Sequence, residues 1–438
     1  MTRRPLRGSV SCGSGWSVPC VSIQLTLFQN TLFHLTIVTV QYRYTRQLMK
    51  LLRFAYRCVS PPGYVLNTIN VFLHKPIVAP LLLAIYWCVT CLLAVALTPL
   101  ILLDGLHKAW SDAIATELAV EDRSAMAIVV TGCDTGFGRA LAIDLAERGY
   151  VVFACCLNHG AAKNLGKARS CKMDVTSDAD VETVAADVRA WIAEAHVRGS
   201  RARRVLAVVN NAGVGTGGFV DWLSLQDYER DLAVNFMGVV RVCKAFLPLL
   251  RQSADAATAL GPAVARPRIL IVSSMSGKLP VPLLSSYSAS KHAAAAFAAC
   301  LRMEVENLWN VHVCTVLPSF HRTPLTQGGV STVSHKWSGL APAVKAMYGD
   351  ACAQSCFEIA RGMMDDWAWD PARVSEALAR AATQVRAPPA ELTIGGDALF
   401  GLNAVRHLPP AIYEAIIYHW YAWNLVMPAG AEKAKKRI

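Results

Sequence analysis

The sequence has few charged residues for its length. They make up 17% of the 438 residues, whereas hydrophobic residues make up 54% and the mean hydropathy is +0.34. Such a composition is unusual for an entirely soluble protein and points to membrane segments.

Acidic residues are particularly scarce, 31 against 43 basic ones, which gives a formal net charge of +12. An excess of positive charge fits nucleic acid, an anionic membrane surface or no specific partner. The basic residues are scattered and no zinc-finger spacing accompanies them, so we discount nucleic acid and predict no metal site.

The 14 cysteines lack the spacing of a small disulfide-stabilised domain, so we expect most of them to be reduced. Cys88 and Cys91 form a C-x-x-C pattern, but they lie inside an apolar run. Small residues within a buried segment explain that pattern better than a redox motif does.

Charge is absent altogether from residues 76–103, and residues 81–98 also contain no proline. Eighteen residues of helix reach about 27 Å, close to the thickness of the hydrocarbon core of a bilayer. We predict a transmembrane helix at residues 76–103. Residues 18–40 form a weaker candidate, which is either a second span or a leader, within an N-terminal segment of residues 1–75.

From residue 124 onward, apolar strands alternate with helical segments. Apolar runs predict strands at residues 125–130, 150–157, 205–213, 268–274 and 311–318. Helices are expected at residues 139–148 and 181–195, and a low-complexity loop at residues 253–267. Because each strand is apolar throughout, we predict an α/β fold: a Rossmann-like doubly wound parallel sheet with helices on both faces.

We assign residues 124–405 to this domain. Residues 406–438 form an apolar, aromatic-rich C-terminal segment with a basic tail. We interpret this segment as a substrate-side cover or an interfacial helix.

Three glycines, Gly132, Gly136 and Gly138, follow the first predicted strand and open a helix. Glycines at such a place let the backbone approach a pyrophosphate, whose charge is favoured by the helix N-terminus. The spacing is G-x-x-x-G-x-G, and by itself it is a weak indication of a nucleotide site.

A second pattern is "YSASK", in which Tyr287 and Lys291 share one face of a helix. An ammonium beside a phenol stabilises the phenolate and lowers its pKa toward the range of a general base. Ser274 ends a predicted strand 13 residues earlier, where a hydroxyl could hold a substrate oxygen. The sequence "NNAG" at residues 210–213 ends another strand, and Asn235 stands within a predicted helix, where asparagine is mildly unfavourable.

Together these motifs resemble the short-chain dehydrogenase/reductase family. "TGCDTGFG", "NNAG", Asn235, Ser274 and "YSASK" occur in the order and at the spacing of that family. The resemblance is close over residues 125–326 and looser to about residue 425. It implies a catalytic tetrad, which consists of Asn235, Ser274, Tyr287 and Lys291.

The resemblance also implies a set of cofactor contacts that run from the glycine turn to the nicotinamide: Gly132, Asp134, Gly136, Phe137, Gly138, Asp174, Val175, Asn211, Ala212, Gly213, Tyr287, Lys291 and Thr323. In this arrangement Asp174 and Val175 flank the adenine and Thr323 reaches the nicotinamide side. Asn235 is expected to hold a water that relays the proton to bulk solvent. Family members commonly pair through the helices that carry Asn235 and Tyr287, which implies a homodimer.

Two positions depart from the family pattern. Pro318 is followed by Ser319 where the family has glycine, which predicts an altered cofactor fit. No acidic residue ends the second strand to hold a ribose diol, and Asn158 stands there instead. The resemblance implies NAD, whereas the local residues leave NADP open.

Within the family, the sequence looks like the membrane-associated branch of retinol, 17β-hydroxysteroid (type 2) and 3-hydroxybutyrate dehydrogenases. The resemblance therefore implies oxidation of a secondary or allylic alcohol on an apolar substrate, in steroid or retinol metabolism. The alternatives are a 3-hydroxybutyrate-type enzyme and a catalytically silent, membrane-tethered scaffold on the same fold.

The membrane topology stays open at this stage. Basic residues precede the predicted helix, which by the positive-inside tendency places the enzyme domain in the lumen. The chain ends in "KKRI", which resembles the di-lysine retrieval signal of endoplasmic reticulum membrane proteins and is read in the cytosol. We therefore expect an endoplasmic reticulum membrane protein, with the side of the catalytic domain undecided.

Overall fold

The computed structural model describes residues 123–158, 160, 164–197, 202–261, 264–396, 405–426 and 428. The predicted membrane segments at residues 18–40 and 76–103, the Cys88–Cys91 pair and the basic tail lie outside the described residues.

The centre of the fold is a parallel sheet of seven strands in the order β3-β2-β1-β4-β5-β6-β7. The strands are β1 (Met126–Thr131), β2 (Val151–Cys156), β3 (Arg169–Lys172), β4 (Arg204–Asn210), β5 (Arg268–Val272), β6 (His312–Pro318) and β7 (Glu391–Ile394). Strands β1, β4 and β5 are buried along their whole length, as expected for a sheet with both faces covered.

The helices are α1 (Gly136–Glu147), α2 (Asp178–Val197), α3 (Leu225–Leu232), α4 (Gly238–Leu260), α5 (Ser285–Trp309), α6 (Pro324–Ser338), α7 (Pro342–Tyr348), α8 (Asp350–Gly362), α9 (Ala372–Thr383) and α10 (Pro410–Asn424). Helices α1 and α9 cover one face of the sheet. Helices α2, α4 and α5 cover the other face. The doubly wound Rossmann-like α/β fold is therefore confirmed.

The predicted strand positions are confirmed to within a few residues, and α1 begins three residues earlier than expected, at Gly136. Two strands were missed. Strand β3 is four residues long and largely exposed, and β7 is a half-buried edge strand of the same length. Such short, incompletely buried strands produce no apolar run in the sequence.

The loop predicted at residues 253–267 is wrong over its first half, because α4 continues to Leu260. Alanine is the best helix former, and Ala254 and Ala257 are buried. The helix stops at Gly261, whose φ of 104° is readily adopted only by glycine.

Residues 225–260 form one continuous helical run that is long and apolar enough to cross a membrane by length and composition alone. One side of this run, including Val242 and Phe246, is buried in the core beside β4. The run is thus a core helix of the α/β domain, and it carries Asn235.

Candidate active site

The residues of the predicted site converge at the carboxyl ends of β1, β4 and β5. Strands β1 and β4 are neighbours in the sheet although they are separated in sequence, so the strand order reverses between them. In open α/β sheets this switch point is where ligands bind.

The glycine turn at residues 132–138 forms a backbone cradle that leaves no room for side chains. A Cβ atom on Gly132 would lie 2.7 Å from Cα of Ala212, and one on Gly138 would lie 2.4 Å from Nδ2 of Asn211. Gly132 and Gly136 also have φ of 71° and 61°, which side chains other than glycine rarely allow. Helix α1 starts at Gly136, so its positive end points at the cradle, which therefore fits a dinucleotide phosphate.

Thr131 and Asn211 join the turn to the end of β4. The Thr131 hydroxyl accepts hydrogen bonds from the backbone N–H groups of Asn211 and Ala212, both 3.0 Å long. Nδ2 of Asn211 donates to the carbonyl oxygens of Thr131 and Gly132, at 2.9 and 3.1 Å. These four hydrogen bonds hold the glycine turn against the end of β4.

Asp134 projects from the glycine turn to the end of β2. Its carboxylate oxygens accept hydrogen bonds from the backbone N–H groups of Leu157 and Asn158, at 2.9 and 2.8 Å. The sequence places no acidic residue at the end of the second strand, but the fold brings one there from the preceding turn. A negative charge thus lies where a cofactor ribose is expected.

The remaining implied cofactor residues lie around the same edge of the sheet. Thr323 begins α6, and a Cβ atom on Gly136 would lie 3.9 Å from Cβ of Thr323. The Asp174 carboxylate is engaged within its own turn, because it accepts hydrogen bonds from the backbone N–H and the hydroxyl of Thr176. Val175 is buried beside α4.

Phe137, another implied cofactor residue, contacts the buried His321. Their rings meet edge to face at a centroid distance of 5.8 Å. His321 follows Ser319, whose backbone N–H donates to Ile394 at 2.9 Å and so holds β6 to β7. Whether the serine at this position alters the cofactor fit stays a prediction.

Tyr287 and Lys291 lie one turn apart on α5, and Ser274 follows β5. The Ser274 side chain lies close enough to the Tyr287 phenol to act on its pKa. Lys291 is buried, its ammonium donates to the carbonyl oxygen of Val272 at 2.8 Å, and Nζ lies 5.8 Å from the centre of the Tyr287 ring. The three side chains therefore form one group.

Burial dominates the protonation of this group. It raises the pKa of Tyr287, although the Ser274 side chain acts in the opposite direction. Burial also lowers the pKa of Lys291 to about 8. The expected lowering of the Tyr287 pKa by Lys291 is not seen, because the ammonium is directed at Val272 and lies against the ring.

Asn235 is fully buried in a π-helical turn, Ala233–Met237, between α3 and α4. Its Oδ1 accepts a hydrogen bond from the Val214 N–H, and its Nδ2 donates to the Val214 carbonyl and to the Ser290 hydroxyl. Such π-turns occur frequently at functional sites. Asn235 thus braces the loop after β4 against α5, whereas the water that it is expected to hold stays a prediction.

An apolar cap borders the chain segment that leads to Tyr287. We use this name for helices α6–α8. Two aromatic rings of the cap, Trp337 and Tyr348, form an aromatic cluster with Phe219 and Trp222 from the segment before α3. The cluster packs with Leu283 and Val333. Leu283 has a φ of 65°, an uncommon value for leucine, and its carbonyl accepts a 2.8 Å hydrogen bond from Gly218. Strained residues of this kind cluster at binding sites.

Comparison with known proteins identifies the family. The sequence profile described as "short chain dehydrogenase" matches residues 126–333. Retinol dehydrogenase 5 of Mus musculus is 33% identical over 312 residues, which cover 69% of this chain and 89% of that protein. The chain belongs to the short-chain dehydrogenase/reductase family. It is an NAD(P)-dependent dehydrogenase of that family.

Two further similarities lie within the short-chain dehydrogenases. The 17-beta-hydroxysteroid dehydrogenase type 6 of Homo sapiens is 30% identical over 295 residues, which cover 66% of this chain and 87% of that protein. A crystal structure of a Burkholderia phymatum short chain dehydrogenase/reductase in complex with NAD is 22% identical, with a TM-score of 0.47. It covers 68% of this chain and 93% of that one.

Sequence reasoning missed several residues that shape this dehydrogenase site. Thr131 is one of them, and its signal was available, since a hydroxyl ends the strand immediately before Gly132. Asp231, Thr216 and Ser286 are others, and no sequence pattern links these three positions. Among the described residues, no cluster of side chains suited to a metal ion is found.

Proposed function

We propose that this protein oxidises, reversibly, a secondary or allylic alcohol on an apolar substrate. The observation that carries the proposal is the proximity of Tyr287 to Ser274 and Lys291 at the edge of the sheet that holds the glycine turn. When bound, the nicotinamide cofactor supplies the acceptor for the hydride.

In this proposal, Ser274 holds the substrate oxygen and Tyr287 takes the hydroxyl proton as general base. Lys291, whose Nζ lies 5.8 Å from the centre of the Tyr287 ring, would hold the nicotinamide ribose when the cofactor is bound. Asn235 keeps α5 and the loop after β4 in register, so that Tyr287 stays in place. The burial that raises the pKa of Tyr287 also makes its phenolate a stronger base.

The apolar cap supports a steroid or a retinol as the substrate. Its aromatic cluster offers a surface that suits fused rings or a polyene, and both relatives described above are named for such substrates. A 3-hydroxybutyrate needs a cation for its carboxylate. Lys336 in the cap is already bound by both carboxylate oxygens of Asp227, at 2.6 and 2.7 Å.

NAD is the cofactor that the site supports best. The Asp134 carboxylate lies at the end of β2, where it would repel the 2′-phosphate of NADP and could accept a hydrogen bond from a ribose hydroxyl.

The test uses the full chain, purified and reconstituted in lipid nanodiscs. NADH absorbance is followed with retinol, a 17β-hydroxysteroid and 3-hydroxybutyrate in turn. We expect turnover of retinol or the steroid and its loss in Tyr287→Phe. Tyr228→Phe is the matched control, because the Tyr228 hydroxyl also bonds to a serine, Ser285, at 2.7 Å. No turnover on any substrate, with Tyr287→Phe indistinguishable from the parent, supports the scaffold instead.

We also propose that the enzyme is held in the endoplasmic reticulum membrane by residues 76–103. The uncharged stretch at residues 76–103, long enough to cross a bilayer, supports a membrane location. Protease protection of the C-terminus in sealed microsomes tests the side of the membrane: digestion places the catalytic domain in the cytosol, and protection places it in the lumen.

A further inference from the structure

Asp231 is a fully buried carboxylate that the proposed tetrad does not use. It lies in the last turn of α3, four residues before Asn235. Oδ2 accepts hydrogen bonds from the Ser286 hydroxyl at 2.6 Å and from the Thr216 N–H at 3.1 Å. Oδ1 accepts from the Thr216 hydroxyl at 3.1 Å and from the guanidinium of Arg230 at 3.4 Å. A buried carboxylate is tolerated only with such partners.

The two residues that Asp231 joins lie on either side of Tyr287. Ser286 precedes Tyr287 on α5. Thr216 follows Gly215, where a Cβ atom would lie only 3.0 Å from Cδ2 of the Tyr287 ring. Asp231 therefore ties the start of α5 to the loop that packs against the ring, and the tyrosine sits between the two tied segments.

From this arrangement we propose that Asp231 is a positioning residue, which fixes Tyr287 by joining Ser286 to Thr216 and sets the pH range of the reaction by its charge. The inference rests on the proposed function, since it assumes that Tyr287 is the general base. Asp231 acts through its neighbours and needs no contact with substrate or cofactor.

The charge of Asp231 acts on both titrating members of the site. It raises the pKa of Lys291, against the larger effect of burial, and it adds to the raised pKa of Tyr287. Among the other titratable and charged groups on these elements, the half-exposed Arg230 lies 3.4 Å from Asp231 and also donates to Thr216, so its positive charge partly offsets the charge of Asp231. Asp227 pairs with Lys336, and Tyr228 bonds to Ser285. His292 points one ring nitrogen at the Ser288 carbonyl.

Because Asp231 raises the pKa of both Lys291 and Tyr287, its neutralisation should shift the pH dependence of the reaction in one direction. Without the negative charge, both pKa values fall. Tyr287 then loses its proton at a lower pH, which moves the acid limb of alcohol oxidation down. Lys291 loses its positive charge at a lower pH as well, which moves the alkaline limb down. Asp231→Asn should shift the whole profile of kcat/KM to lower pH, by on the order of one unit.

The matched control is Asp227→Asn, which neutralises another buried carboxylate one turn earlier on α3. Asp227 pairs with Lys336 and does not join Ser286 to Thr216 through its side chain. We expect Asp227→Asn to lower thermal stability while both limbs of the pH profile stay in place.

Positioning is separated from charge by Ser286→Ala and Thr216→Val. Each variant removes one hydroxyl that donates to Asp231 and keeps the carboxylate. We expect kcat to fall about tenfold in either variant, because the base is less well held, with the limbs of the profile unmoved. KM for the cofactor should stay the same.

The experiment measures kcat and kcat/KM of the full chain in nanodiscs across pH for the four variants, with NAD titrations to show that each is folded. A shift in Asp231→Asn alone supports the inference. Equal pH profiles for Asp231→Asn and Asp227→Asn overturn it. So does the combination of an Asp231→Asn variant that cannot bind NAD with Ser286→Ala and Thr216→Val variants that keep the parent kcat. If Tyr287→Phe retains the parent activity, the proposed function itself fails, and that outcome is distinct from either.

Discussion

At the glycine turn, backbone atoms approach one another so closely that a single added carbon collides. At the cap, the rings of Trp337 and Tyr348 from helices after β6 meet the rings of Phe219 and Trp222 from the segment before α3, at centroid distances of 4.9 to 5.4 Å. The turn holds its shape through obligatory backbone contacts, whereas the cap holds its shape through apolar area that other side chains could also supply. The half of the site that would hold the cofactor is therefore specified atom by atom, and the half proposed to hold the substrate only by its size and polarity.

The largest expected effect comes from Gly138→Ala. The new Cβ atom would lie 2.4 Å from Nδ2 of Asn211 and 2.5 Å from the Gly132 carbonyl oxygen, so the cradle must open. We expect NAD affinity to fall by about 100-fold or more and activity to be lost. NAD titration followed by intrinsic fluorescence measures this. Near-parent affinity in Gly138→Ala would show that the turn is looser than its contacts imply.

This difference also explains what the sequence could predict. The turn, Asn211, Ser274 and the Tyr287–Lys291 pair follow strict local geometry, so each leaves a short pattern of fixed residues. Asp231, Thr216 and Ser286 leave none, because their hydrogen bonds join positions 15 and 55 residues apart. Asp134 lies in a short pattern and was named as a cofactor contact, but its place at the end of β2 was not predicted, because that place depends on the path of the chain between two elements.

Beside the cap, Trp222→Ala tests how much the aromatic cluster contributes. Trp222 is buried and contacts Phe219, Trp337 and Tyr348. Its removal leaves a cavity, which should cost about 3–5 kcal/mol of unfolding free energy. We expect KM for the apolar substrate to rise about tenfold through loss of the cluster.

The control for that variant is Trp222→Phe. Nε1 of Trp222 finds no hydrogen-bond partner among the described residues, so phenylalanine keeps most of the apolar area and loses only an unsatisfied N–H. Thermal denaturation and steady-state kinetics are compared across the pair. A change in NAD affinity as large as the change in substrate KM in Trp222→Ala would contradict the separation of the two halves.

A smaller effect is expected on the cofactor side from Asp134→Asn. Neutralising this carboxylate removes the repulsion of a 2′-phosphate, so the preference for NAD over NADP should fall by about tenfold. Asp144→Asn is the matched control, since it removes a charge from α1, the helix that follows Asp134, where Asp144 pairs with Arg148. The measurement is the ratio of kcat/KM with NAD to kcat/KM with NADP. An equal change of this ratio in both variants would contradict a direct contact of Asp134 with the ribose and indicate a long-range effect of charge.

The smallest expected effect is a gain in stability. It comes from making the same glycine-to-alanine change in the cap, at Gly328. Gly328 lies inside α6, and a Cβ atom placed there meets nothing within 4 Å. Alanine should stabilise this helix by about 0.5–1 kcal/mol, because it loses less backbone freedom on folding. Calorimetry of Gly328→Ala beside Gly138→Ala then compares one substitution in both halves. A destabilised Gly328→Ala would show that the cap, too, is held by close contacts, and that its tolerance of exchange is smaller than its packing indicates.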